Sequence, residues 1–166
     1  MNQKEYFGIG TLEQVAFILE QEKPRNIFFV TGKTSYKLSG AEPILDRLLK
    51  NYKVTLFREI SSNAKIEVVE KGISLFREHN CDFVVALGGG SVLDTAKSVA
   101  LLADQTEKSE DYVQKRAVLH NRRIHLIAIP TTAGTGSEAT HFAVIYINKT
   151  KYSLAHPSLV PDYAII

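Results

Sequence analysis

A single cysteine, Cys81, stands in 166 residues, so the chain forms no internal disulfide and no cysteine-rich zinc site. Charge of one sign is also missing. Twenty Lys and Arg are interspersed with 18 Asp and Glu, a formal net charge of +2. That balance excludes the basic stripe of a dedicated nucleic-acid or membrane-surface binder. No apolar run approaches the ~20 residues of a membrane span, and the opening Gln3-Lys4-Glu5-Tyr6 has no apolar signal-peptide core. His79, His120, His125, His141 and His156 show neither H-E-x-x-H nor any other ligand spacing, and read as surface or satisfied core histidines. No repeat, low-complexity tract or Pro/Ser-rich linker divides the chain. The expectation is one soluble, reduced, cytoplasmic domain. At this length it can bury about two-thirds of its unfolded surface.

Short apolar runs alternate with longer amphipathic stretches. Asn26–Val30, Val54–Phe57, Asp82–Leu87 and Ile124–Ile129 are near-continuous apolar strands, and Phe142–Ile147 is a fifth. Between them, Leu12, Val15, Ile18 and Leu19 trace a helix face, as do Ile44, Leu45, Leu48 and Leu49. Ile66, Val69, Ile73 and Phe76 trace a third, and Val92, Ala96, Val99 and Ala100 a fourth. Thr11 with Gln14 and Ser39 with Glu42 read as capping boxes, with Pro43 an alternative mark of a first turn. Continuous apolar strands alternating with helices predict a doubly wound α/β fold, its mainly parallel sheet covered on both faces. The polar stretch from Asp104 to Arg123 is the expected flexible excursion. The chain closes on Tyr163-Ala164-Ile165-Ile166, which reads as a strand cut at the boundary of a longer protein, or else as an edge strand. Its exposed apolar end would favour self-association, native or not.

The chemistry concentrates in two loops. Gly88-Gly89-Gly90-Ser91 ends a buried strand and opens a helix, which presents backbone N–H groups and the positive end of the helix dipole to an anion. Glycines there let backbone approach a phosphate closely. Ser91 caps the helix or donates to the phosphate, and Asp94 in the first turn fixes the loop. The alternative is a tight strand-to-helix turn without ligand. Leu93 occupies the third glycine position of the dinucleotide fingerprint, so that motif is absent. The second loop, Thr131-Thr132-Ala133-Gly134-Thr135-Gly136-Ser137, is rich in hydroxyls and also follows a strand. Ligands of open α/β sheets gather at such carboxyl ends.

Other motifs fail on spacing. Gly32-Lys33-Thr34 lacks the leading P-loop glycine, whose place is taken by Ile27, and Gly134–Glu138 lacks the order of a hydrolase elbow. Cys81 reads as a small buried hydrophobe. Lys151 and Tyr152 fall in a polar loop, solvated or in contact with a phosphate.

Gly88-Gly89-Gly90-Ser91-x-x-Asp94-x-x-Lys97 and Ile129-Pro130-Thr131-Thr132-Ala133-Gly134-Thr135-Gly136-Ser137-Glu138 together resemble the iron-containing (group III) alcohol dehydrogenases of the dehydroquinate synthase-like superfamily. Tyr6–Gly10 and Lys151–Asp162 extend the resemblance over the whole chain. It implies NAD or NADP bound between this domain and a C-terminal helical domain. The pyrophosphate would lie on Gly89, Gly90 and Ser91, the adenine side by Thr131 and Thr132, and the nicotinamide ribose by Lys151, with Asn63 as a further contact. An Asp that disfavours a 2′-phosphate in some members is replaced by Gly32, followed by Lys33, so NADP should be admitted. The family's iron or zinc, held by an Asp and three His, would belong to the missing domain. The expectation is the cofactor-binding half of an enzyme acting on a small alcohol or aldehyde, silent by itself, with a homodimer as its expected protein partner. A glycerol- or polyol-type dehydrogenase, a flavodoxin-like domain for another phosphate ester and a non-catalytic nucleotide-binding or oligomerisation module are the alternatives.

Overall fold

The computed structural model describes residues 3–60 and 63–166. Six parallel strands form one sheet in the order β1-β8-β5-β4-β2-β3. They are β1 (Lys4–Tyr6), β2 (Asn26–Thr31), β3 (Lys53–Phe57), β4 (Phe83–Gly88), β5 (His125–Pro130) and β8 (Tyr163–Ile165). The central pairs are in plain register, with Phe29 opposite Val85 and Val85 opposite Ile127. A separate antiparallel hairpin joins β6 (Phe142–Ile147) to β7 (Thr150–Ala155). Its two-residue turn, Asn148-Lys149, has φ of 47° and 68°, the left-handed pair that matches the twist of a hairpin.

The strands are apolar throughout because both faces are covered. On one face, α1 (Gln14–Glu22), the short α2 (Ser35–Leu38) and α3 (Glu42–Leu49) bury Val15, Ile18, Tyr36 and Leu45 against Ile27, Phe29 and Val85. On the other, α4 (Ile66–Glu78), α5 (Gly90–Leu102) and the hairpin bury Val69, Ala96 and Ile145 against Phe28, Val30 and Val84. Phe28 stacks on Phe57 and meets Phe76 edge-on, both with ring centroids 5.6 Å apart. No helix among the described residues is long and apolar enough to cross a membrane.

Several expectations need correction. Neither capping box forms. Thr11 Oγ1 donates to the carbonyls of Gly8 and Ile166, and α1 starts without a side-chain cap. Ser39 Oγ accepts the Ala41 N–H at 3.3 Å, ahead of α3, whose first turn carries Pro43. Lys151 and Tyr152 are in β7, not in a loop; β7 presents only Leu154 fully to the core, so its apolar pattern is thin. Residues 104–123 are tied down rather than loose. They include α6 (Ser109–Val113) with Tyr112 buried, and Gln105 bonds the backbone of His120 as donor and acceptor. Arg122, also buried, reaches the Asp162 carboxylate and the carbonyls of Ser158 and Val160. Finally, β8 is no edge: it lies between β1 and β5 with Tyr163, Ala164 and Ile165 buried, which leaves Ile166 alone exposed at that end.

Candidate functional site

From β2 the chain steps outward to β3; from β4 it steps the other way, to β5 and β8. The carboxyl ends of β2 and β4 are therefore the topological switch point, where the crossovers diverge and leave a crevice. Three loops rim it: Gly32-Lys33 after β2, Gly89-Gly90-Ser91 after β4, and Thr131–Ser137 after β5.

Helix α5 begins at Gly90, with Gly89 as its N-cap and no side chain capping it. The N–H groups of Val92 and Leu93 both return to the Gly89 carbonyl, so those of Gly89 and Gly90 lie ahead of the first intrahelical bond. The three glycines answer first to the protein. A Cβ on Gly88 would sit 2.7 Å from Val92 Cβ, one on Gly89 3.1 Å from Thr132 Oγ1, and one on Gly90 3.1 Å from Thr135 Cγ2. The predicted reason for the glycines, room for a phosphate, thus gives way at Gly88 to strand–helix packing. At Gly89 and Gly90 the two predicted loops touch each other. Ser91 lies inside the helix and is not its cap.

Asp94 lies past the first turn, contrary to expectation. It is buried, and its Oδ2 accepts the Val144 N–H of β6 at 3.0 Å. Burial raises its pKa against that bond and the nearby Lys97, Ser137 and Lys151. Asp94 therefore acts behind the crevice, joining α5 to the hairpin. Lys97, one turn on, was part of the motif but carried no predicted role. It is 1% exposed, and its Nζ donates to the carbonyls of Ser137 (3.0 Å), Thr140 (2.7 Å) and Phe142 (2.6 Å). Burial pulls its pKa down to about 8 against Asp94 and Glu138. The signal in the sequence was an Asp-x-x-Lys pair inside an otherwise apolar helix, since such charges are buried only when partnered.

The structure brings Gly32, Gly88–Ser91, Thr131, Thr132, Thr135 and Ser137 to one crevice. Thr131 and Ser91 are half-buried, Thr132, Thr135 and Lys33 exposed, and Ser137 buried. Beside Thr131, a cavity of ≈ 320 Å³ runs between Leu12, Ala41, Leu87 and Ile129, apolar walls with the hydroxyls of Thr11 and Ser39 at the rim. Asn63 stands apart, in a polar cavity of ≈ 390 Å³ with Lys65, Tyr146 and Lys149. Lys151 is the hairpin partner of Tyr146, so Asn63 and Lys151 share the hairpin side of the molecule. Two further residues escaped the sequence reading: Thr31 and Ser35, flanking Gly32, whose hydroxyls are buried without a hydrogen-bond partner. Nothing in their local sequence marks them.

Fold and crevice define an α/β domain of nucleotide-binding architecture. The profile of the family "iron-containing alcohol dehydrogenase" matches residues 2–166, and the chain belongs to that family. It is 49% identical over 162 residues to the probable alcohol dehydrogenase EutG of Salmonella typhimurium, covering 96% of this chain and 41% of that protein. It is 33% identical over 170 residues to the NADPH-dependent butanol dehydrogenase of Clostridium saccharobutylicum, covering 97% and 42%. The crystal structure of an NADH-dependent butanol dehydrogenase A from Thermotoga maritima superposes with a TM-score of 0.91 at 24% identity, over 98% of this chain and 42% of that one, a likeness of fold. The chain thus spans about two-fifths of the length of these relatives.

Proposed function

We propose that residues 1–166 are the nicotinamide-dinucleotide-binding domain of an iron-type alcohol dehydrogenase, completed by a C-terminal helical domain. The observation that carries this reading is the position of the α5 start, at the switch point and faced by the hydroxyl loop after β5. Orphan N–H donors and the helix dipole there suit a pyrophosphate. In this reading Gly89, Gly90 and Ser91 hold the pyrophosphate. Thr131, Thr132, Thr135 and Ser137 flank the adenosine, and the apolar cavity beside Thr131 suits a purine. Asn63 and Lys151 serve the nicotinamide ribose from the hairpin side. Gly88 and Asp94 act on the loops rather than on the ligand.

Bound NAD(P) supplies the hydride acceptor for alcohol oxidation, or the donor in reverse; this chain binds and orients it. NADP is the preferred form in this reading. Gly32 brings no carboxylate to the ribose, Lys33 is an exposed cation, and the unpartnered Thr31 and Ser35 hydroxyls lie beside it. Among the described residues no group of three or more His, Cys, Asp or Glu could hold a metal ion, so these residues do not fit the family's iron or zinc. The substrate oxygen would be handled by the other domain, and the 166 residues by themselves would not oxidise alcohols.

Thermal unfolding with NADP, NAD or AMP tests the reading. Ligand at a hundred times its dissociation constant stabilises by ~2.7 kcal/mol, about 5–10 °C for a domain of this size. A larger shift with NADP than with NAD is expected; no shift with any nucleotide refutes it.

A further inference from the structure

We propose that Lys97 is the positioning residue of the loop after β5: from within α5, its Nζ grips the carbonyls of Ser137, Thr140 and Phe142 and thereby sets Thr131–Ser137 against the glycine turn. The consequence for ligand binding rests on the nucleotide reading above; the positioning itself does not.

Beside Lys97, Gln3 Nε2 donates to the Glu138 carbonyl at 2.5 Å and Ser137 bonds the Asp94 side chain, but each of these is a single bond. Residues 132–135 are exposed, and Gly134 and Gly136 adopt φ of 92° and 63°. At its front the Thr131 N–H donates to the Gly88 carbonyl at 3.0 Å. Within it, Ser137 N–H reaches Thr135 Oγ1 at 3.4 Å and Ala139 N–H reaches the Gly136 carbonyl at 3.0 Å. At its rear the anchor is Lys97. Three carbonyls converge on one nitrogen, the number a lysine head can serve, and Thr140 Oγ1 lies at 3.2 Å as well. The neighbouring ionisable groups are Asp94 on the same helix, Glu138 in the loop and, beyond Asp94, Lys151 of β7. Asp94 takes the Val144 N–H, so two side chains one turn apart fix both the loop and the strand after it. Contacts of Thr132 and Thr135 with Gly89 and Gly90 then follow from where α5 puts the loop.

An apolar side chain at 97 would strand the buried Ser137 carbonyl, release two partly buried ones and free the loop. Each binding event would then have to order it, which costs affinity. The test compares Lys97→Met and Lys97→Arg with Asp82→Asn, a change at the amino-terminal end of the central strands β2 and β4, all well below their melting temperatures. NADP affinity is read by calorimetry, and amide exchange on the ligand-free chain. Lys97→Met should weaken NADP about tenfold or more. It should also strip protection from the Ser137, Ala139 and Val144 amides while sparing Phe28–Val30. Lys97→Arg, which keeps the cation and its donors, should restore part of both. Asp82→Asn should lower the melting temperature and change neither. Should Lys97→Met not fold, Lys97→Gln carries the same comparison. Unchanged loop protection in the Lys97 variants overturns the proposal, as does an equal loss of affinity in Asp82→Asn. If the parent chain binds no nucleotide, the nucleotide reading falls, and exchange alone decides whether Lys97 positions the loop.

Discussion

Gly32→Asp should turn the cofactor preference around. A Cβ at Gly32 would meet Ser35 Oγ at 2.6 Å, then Ser35 Cβ at 3.6 Å and Val92 Cγ2 at 3.8 Å. The one close contact is the free end of a side chain whose hydroxyl has no hydrogen bond to lose. Ser35 can therefore rotate away, and the substitution should cost folding no more than about 1 kcal/mol. Its effect on binding is larger. Two unit charges 4 Å apart repel by ~1 kcal/mol in bulk water and ~4 kcal/mol at a surface-like effective dielectric of ~20. For a carboxylate facing a 2′-phosphate at a half-buried turn, about 2–3 kcal/mol is a fair middle value, some 30- to 150-fold in the NADP dissociation constant. NAD, whose ribose hydroxyls can donate to the new carboxylate, should gain about 1 kcal/mol. Calorimetric titration of both variants with both cofactors measures the ratio. The NADP penalty should also shrink at high salt, because the turn is open to solvent. A ratio that moves less than about threefold, against the more than a hundredfold expected, would refute the argument. So would a parent chain that already prefers NAD.

Gly88→Ala should destabilise by ~1–3 kcal/mol through overpacking, read as a melting shift, because its Cβ would stand 2.7 Å from both Val92 Cβ and Cγ2. Val92→Ala in the same chain should recover part of the loss, and strictly additive effects would contradict the clash. For Asp82, burial alone would raise the carboxyl, but the Asn26 and Arg25 N–H groups and the Arg25 guanidinium hold it below its ordinary 3.8. A carboxylate depressed in the folded state stabilises above its unfolded pKa and loses that contribution as pH falls through the folded one. Acid unfolding below pH 3.8 should therefore flatten in Asp82→Asn. Lys97 runs the other way: its folded pKa of about 8 lies below the ordinary 10.5, so the unfolded chain holds the extra proton between them. Stability should accordingly rise with pH across that window, and Lys97→Met should abolish the rise.

The alternation of apolar strands and amphipathic helices was legible because both sheet faces are covered, which makes each central strand apolar at every position. What escaped lay where that condition fails. β1 has three residues, none fully buried, and β7 buries only Leu154. The capping boxes misled because their spacing is a local signal, and tertiary context gave Thr11 and Ser39 other partners. Two of the three crevice loops could be named from glycines and hydroxyls at strand ends, while Gly32 entered only through the family resemblance. Their anchoring could not: Lys97 reaches carbonyls some forty residues away, in contacts that carbonyl groups of any sequence can make.

That distinction bears on how much the glycine run proves. A Cβ at Gly88 would collide with Val92 at 2.7 Å, so that glycine would be needed in a turn that bound nothing, whereas at Gly89 and Gly90 it would meet exposed threonine side chains at 3.1 Å. Gly88 is needed for Val92 to pack under the strand end, and Gly89 and Gly90 ease the approach of the hydroxyl loop to the helix start. The case for a phosphate therefore cannot rest on glycine count. It rests on where the turn is: the start of the thirteen-residue α5, its first N–H groups directed forward, lies at the divergence of the crossovers and faces the hydroxyl loop after β5. An anionic ligand is favoured there by the free N–H groups and the helix dipole, whatever the glycines do for packing.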